Sequence, residues 1–138
     1  MENCKNKWFE LIDADIPIRL RPKTGPTSAS VVMKINNKRK VDAHEGKGPV
    51  HAFFCAVKKI LLKQYVKIAE VELDDFNLTV KNVKELHGAA MVTVEIEMRY
   101  NGSSVLARGT DENLVVAACD AILDGFRKCL DVLYADEY

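Results

Sequence analysis

The sequence predicts an α+β fold built from two copies of a strands-then-helix unit, and three observations carry that prediction. Two regions alternate apolar and polar residues on both sides of a short turn, Asn36-Asn37 in one and Asn101-Gly102 in the other. Each hairpin is followed by a stretch with apolar residues at three- and four-residue spacing, the period of an amphipathic helix. The chain also matches itself without a gap at a spacing of 65 residues.

The elements follow in order. Residues 28–35, SASVVMKI, place Ala29, Val31, Met33 and Ile35 on one face, and KRKVDAH continues the alternation with Val41 and Ala43. A helix is expected next, with Gly48 near its cap and Pro49 in its first turn. It carries Val50, Phe53, Phe54, Val57, Ile60 and Leu61 and runs to about Tyr65. Leu73, Phe76, Leu78 and Val80 mark a further strand, and Val92, Val94, Ile96, Met98 and Tyr100 alternate up to the Asn-Gly turn. Val105 and Ala107 form the return strand. Thr110 or Asp111 is then expected to cap a second helix carrying Leu114, Val115, Ala118, Ile122, Phe126, Cys129, Leu130 and Leu133.

At the 65-residue spacing Met33 falls on Met98, Asn36 on Asn101, Val50 on Val115, Ala52 on Ala117, Ala56 on Ala121 and Lys63 on Lys128. Hairpin turns land on each other, and so do helix starts. We therefore expect a single domain over residues 1–138, with copy one at about 8–66 and copy two at about 67–133, and residues 16–20 (IPIRL) as the first strand of copy one. Neither copy is large enough to close a core by itself.

Composition narrows the function. The 138 residues are 48% hydrophobic and 29% charged, as in an ordinary soluble globule, and 20 basic residues balance 20 acidic ones. No global field steers such a chain toward nucleic acid or an anionic membrane. No apolar run approaches the roughly 20 residues of a membrane span, and the opening MENCKNKWFEL has no signal-peptide core, so a cytoplasmic location is expected. Cys4, Cys55, Cys119 and Cys129 lie far apart without a C-x-x-C pair, and the last three read as small buried hydrophobes.

The stretch HEGKGPVHAFF (44–54) asks what its glycines are for. A helix start offers unpaired N–H groups and the positive end of the dipole, which suit a carboxylate. Glycines at 46 and 48 allow close approach to the main chain. The plainer reading is a tight turn with Pro49 starting the helix. GTDENLV (109–115) is the same place in the second copy. Phosphate is disfavoured, since neither G-x-x-x-x-G-K-[ST] nor G-x-G-x-x-G occurs.

The segments EGKGPVHAFFCAVKKIL and ARGTDENLVVAACDAIL resemble the paired signatures of the C-terminal regulatory domain of 2-isopropylmalate synthases and citramalate synthases. Those signatures are G-x-G-P-(apolar)-x-A-(apolar) and G-(V/T)-(S/D)-x-N-(apolar)-(apolar)-x-A. The resemblance extends over residues 8–133. It implies duplicated βββα units related by a pseudo-twofold, two helices packed on antiparallel sheets, and a homodimer. It also implies that leucine or isoleucine binds near the dimer interface and inhibits a distant catalytic barrel. Carried over position by position, the implied effector site comprises Gly46, Gly48, Pro49, Val50 and His51, then Phe76, Leu78 and Val80, then Thr110, Asp111, Glu112 and Asn113. Three departures bear on pocket polarity: His51 replaces a frequent Asp or Ala, Ala118 a common Ser, and Phe76 the usual Tyr.

Catalytic readings find no support. A barrel would need some 250 residues of its own. His44, Glu45 and His51 lack the helical H-x-x-x-H pairing of a metal site, while Ser103, Ser104 and His87 sit where no triad forms. Lys38-Arg39-Lys40 lacks the interleaved aromatics of an RNA-reading sheet. The expectation is a non-enzymatic regulatory part or partner, in cis or in trans, of an acetyl-CoA-dependent acyltransferase in branched-chain amino-acid biosynthesis, with no cofactor, metal, nucleic acid or membrane. The alternative is a structural dimerisation module without a ligand. An RNA-binding sheet stands third.

Overall fold

A computed structural model describes residues 8–17, 27–86 and 89–135, with side chains outside 74–90. The chain divides into two compact units, Met1–Val66 and Lys67–Tyr138. Each is an antiparallel three-stranded sheet followed by one helix, so the fold is α+β with repeated βββα units.

In the first unit the strands are β1 (Glu10–Asp15), β2 (Thr27–Ile35) and β3 (Lys38–Gly46), in that spatial order, and the helix is α1 (Pro49–Leu62). Asn36 and Asn37 both take positive φ (53° and 64°), the pair of left-handed residues that matches a two-residue hairpin to the strand twist. Ala29, Val31, Met33 and Ile35 are buried, as the alternation requires. Asp42 and Gly46 share that sheet face through their pairing with Val31 and Thr27, and α1 lies over it. The helix contributes Phe53, Val57, Ile60 and Leu61 to the core, each worth roughly 1.5–3 kcal/mol when fully buried. Trp8 and Phe9 join them. Trp8 is held at the far end of α1, where Tyr65 Oη donates to its carbonyl (2.7 Å) and the two rings meet edge to face.

Two expectations are corrected here. The first strand is Glu10–Asp15 rather than residues 16–20; Ile16 and Pro17 follow it outside the sheet, and 18–20 lie outside the described residues. The strand escapes a period-two search because it bulges at Ile12: Leu11 pairs with Met33 and Ala14 with Val31, so its core-side residues are three apart. The helix ends at Leu62 rather than near Tyr65, with the Lys63 N–H bonding back to the Ile60 carbonyl.

The second unit contains β4 (Glu72–Leu86), β5 (Ala89–Tyr100), β6 (Ser103–Asp111) and α2 (Leu114–Leu133), again in sequential sheet order. Asn101 and Gly102 turn the hairpin at φ 46° and 79°; the second value is the one that favours glycine. Val94, Ile96, Met98 and Ala107 are buried with Ile122, Phe126, Cys129 and Leu130 of α2. The end of α2 is held by Lys67, whose Nζ donates to the Leu133 carbonyl (3.1 Å) and lies 4.8 Å from the centre of the Tyr134 ring.

Side chains of each helix reach the outer edge of its sheet. Lys128 Nζ donates to the Leu106 carbonyl (2.9 Å), and Asp124 accepts the Arg108 N–H (3.1 Å). In the first unit Lys59 Nζ reaches the Ala43 carbonyl (3.5 Å), and Asp42 accepts the Ala43 N–H (2.8 Å).

Candidate functional site

Gly46, Gly48, Pro49, Val50 and His51 form the junction of β3 with α1. Gly48 is the N-cap in extended backbone (φ −159°, ψ 178°), and Pro49 opens the helix as expected. The cap residue has no side chain to accept the first N–H groups, and no acidic residue stands in the first turn. The two glycines differ in why they are bare. A Cβ at Gly46 would lie 2.6 Å from the Ala52 nitrogen and 2.8 Å from His51 Nδ1, so Gly46 is dictated by packing of the strand end against its own helix. A Cβ at Gly48 would meet nothing within 4 Å. Neither backbone strain nor a neighbour in the chain calls for glycine at 48.

The start of α2 is built differently. Asn113 is its N-cap, and Asn113 Oδ1 accepts from the N–H groups of Val115 (2.8 Å) and Val116 (3.2 Å). The Asp111 carboxylate accepts the Asn113 N–H (2.9 Å). This corrects the expected cap: β6 runs on through Thr110 and Asp111, which leaves capping to the next residue able to reach the first turn. Thr110 stands on the sheet face away from α2, its hydroxyl 2.9 Å from that of its cross-strand partner Thr93. Glu112 is exposed.

The backbones of Phe76, Leu78 and Val80 belong to β4. Val80 pairs with Val94, but Phe76 and Leu78 lie where the register shifts, between Asp74 opposite Glu97 and Thr79 opposite Glu95. The strand expected to line a pocket is thus irregular where the site residues sit. The site residues divide between the units, 46–51 in the first and the rest in the second.

Two contacts escaped the reading of the sequence. His51 Nδ1 accepts the Lys47 N–H (3.2 Å) and its Nε2 is 3.6 Å from Cys55 Sγ. Arg108 Nε donates to the buried Glu95 carboxylate across the hairpin. The second was legible, since a two-residue turn at 101–102 puts 95 opposite 108. Among the other thiols, burial pushes both Cys119 and Cys129 up to about 12, with Asp120 adding to the effect at Cys119. Cys55 is only half-buried, unlike the buried hydrophobe expected of it. Among the described residues no cluster of three or more His, Cys, Asp or Glu side chains could hold a metal ion, and no helix is long and apolar enough to cross a membrane.

Comparison with known proteins places these features in a family. Residues 10–130 match the family model of the LeuA allosteric (dimerisation) domain. The chain is 29% identical over 106 residues to a 2-isopropylmalate synthase of Afipia carboxidovorans, covering 77% of this chain and 19% of that protein. It is 34% identical over 98 residues to an (R)-citramalate synthase of Geobacter sulfurreducens, covering 71% and 18%. A 2-isopropylmalate synthase of Rhodopseudomonas palustris is 26% identical over 104 residues, with 75% and 18% covered. The chain therefore spans less than a fifth of the length of these relatives. With its repeated βββα units and a match over most of its length, the chain belongs to the LeuA allosteric (dimerisation) domain family.

Proposed function

We propose that the chain is a dimeric sensor that binds a branched-chain amino acid, leucine or isoleucine, for feedback control of a 2-isopropylmalate or citramalate synthase, whose catalytic barrel it joins in cis or in trans. One observation carries the reading: the α1 start is uncapped and bare at Gly48 where neither packing nor backbone geometry asks for glycine, whereas the α2 start is satisfied by Asn113 and Asp111. The effector carboxylate takes the N–H groups of Val50 and His51, helped by the helix dipole. The family resemblance also assigns Phe76, Leu78, Val80 and residues 110–113 of the second unit to effector binding. Binding selects one arrangement of the regulatory dimer and biases the barrel through a coupling of about 1–3 kcal/mol.

The test is thermal. A few charge-assisted hydrogen bonds and one buried aliphatic side chain, set against the cost of association, give a Kd between about 1 μM and 1 mM. Leucine or isoleucine at about 100 times that value stabilises the fold by about 2.7 kcal/mol, read as a rise in Tm. Gly48→Val abolishes the rise while leaving the unliganded Tm nearly unchanged, because its extended backbone suits a branched residue and the space is open. Thr110→Arg probes the second helix start. Light scattering is expected to give twice the chain mass of 15.5 kDa at micromolar concentration. If neither amino acid at about 10 mM moves the Tm, the sensing reading fails and the chain is a structural dimerisation module.

A further inference from the structure

We infer that His51 is a proton-sensitive latch on the turn that precedes α1. Lys47 is the residue before the N-cap, and its N–H points at His51 Nδ1 (3.2 Å). A ring nitrogen that accepts an N–H carries no proton, so the neutral imidazole holds its proton on Nε2, directed at Cys55 Sγ (3.6 Å). The ring is thereby engaged at both nitrogens, one tying the turn to the helix and the other lying along the helix. Gly46 completes the fit, since a Cβ there would stand 2.8 Å from the same Nδ1. Turn, ring and thiol form one chain of donors and acceptors that exists only while the imidazole is neutral.

Protonation turns Nδ1 into a donor. Two N–H groups then face each other, and the turn loses its attachment to the first turn of α1. On β3, the turn and α1, the titratable groups nearest in sequence are Asp42, His44 and Glu45, then Lys47, then Cys55, Lys58 and Lys59. His44 is directed at its own strand, its Nδ1 2.6 Å from the Glu45 carbonyl. Histidine is the side chain that ordinarily gains a proton on mild acidification. The consequence for ligand binding rests on the proposed sensing role: an effector carboxylate meets an ordered turn beside the neutral ring and a loosened one beside the protonated ring.

The experiment measures amide exchange at Lys47 in the whole chain at about pH 8 and pH 5.5, corrected for intrinsic exchange, in the wild type, His51→Ala and His51→Asn. Asn places an oxygen where Nδ1 stands and does not titrate. Protection of Lys47 in the wild type is expected to fall about two- to tenfold on acidification, the worth of one net hydrogen bond. His51→Ala lacks that protection at both values, and His51→Asn keeps it at both. Wild-type protection that does not change with pH, or His51→Ala as protected as the wild type at about pH 8, overturns the latch. Calorimetric titration with leucine and isoleucine supplies the second arm, with affinity weakening about two- to tenfold in acid for the wild type and staying constant for His51→Asn. Titration of Lys47 protection without binding of either amino acid supports the latch and removes the sensing role. Binding with pH-independent Lys47 protection does the reverse.

Discussion

The two units share a strand register at a spacing of 65 residues, for Thr27 faces Gly46 as Val92 faces Asp111, and Ile35 faces Lys38 as Tyr100 faces Ser103. On that common backbone the chemistry at equivalent places differs. α1 starts on Gly48 and leaves its first donors without a cap side chain, while α2 starts on Asn113, which takes two of them. Positions 43 and 108 make the same strand-to-helix contact with opposite polarity: Lys59 donates to the Ala43 carbonyl, and Asp124 accepts the Arg108 N–H. A repeated backbone therefore does not imply a repeated site. One helix start is capped by its own side chains, and the other is not.

Three glycines that look alike in sequence, Gly46, Gly48 and Gly109, differ most in what a side chain would meet. A Cβ at Gly109 would lie 2.1 Å from the Ala117 carbonyl and 2.5 Å from the Ala121 nitrogen, backbone atoms of α2 that cannot swing aside. Gly109→Ala is expected to cost about 3 kcal/mol, the upper end for overpacking, and Gly46→Ala about 1–3 kcal/mol. Gly48→Ala should cost less than either, about 0.5 kcal/mol, the usual difference between glycine and alanine at an N-cap. Urea unfolding midpoints rank the three, and a cost at Gly48 equal to that at Gly46 would remove the distinction between them.

A smaller effect exchanges the two helix starts. Asn113→Ala should destabilise by about 1 kcal/mol through loss of its cap bonds. Gly48→Asn should stabilise the unliganded chain by a few tenths of a kcal/mol and suppress the leucine- or isoleucine-induced rise in Tm, because the new side chain takes the donors assigned to the effector. A Gly48→Asn protein that still responds fully would place the effector elsewhere.

The smallest effect lies in the Asp42 cluster, which the second unit lacks at Ala107. Partial burial opposes ionisation of Asp42, but the Ala43 N–H and the ammonium groups of Lys59 and Lys63 outweigh it and hold the carboxyl below its ordinary value of 3.8. A depressed folded value means that the contribution is present above about pH 4 and is lost as pH falls through that lower value. Lys59 and Lys63 are 49% and 69% exposed, so screening keeps Asp42→Asn within about 0.5 kcal/mol near neutrality. The difference from wild type should vanish in acid unfolding near pH 2.

The two hairpins and both helices were legible because period-two and period-3.6 burial repeat along them, and Asn-rich turns fix the register between strands. β1 was not, since its bulge at Ile12 spaces Leu11 and Ala14 by three and hides the strand from any alternation test. Trp8 and Phe9 went unnoticed as core residues because nothing local pairs them; Trp8 is held by Tyr65, 57 positions away. At the site, the positions of Gly48, Pro49 and Asn113 at the helix starts were readable from spacing. The separate reasons for Gly46 and Gly48 were not, because one depends on where α1 folds back and the other on space that no sequence records.

The side chains that reach the sheet edges have a consequence for the chain at high concentration. An exposed edge invites a strand from another molecule, and successive additions lead to cross-β assemblies. Near the middle of β6 an arriving strand finds the Leu106 carbonyl held by Lys128 and the Arg108 N–H held by Asp124, and at β3 it finds Lys59 and Asp42 on Ala43. It must displace an ammonium or a carboxylate before it gains its first backbone bond. The helices thus act as guards against aggregation as well as forming half of each core, and they discourage a disordered route to self-association.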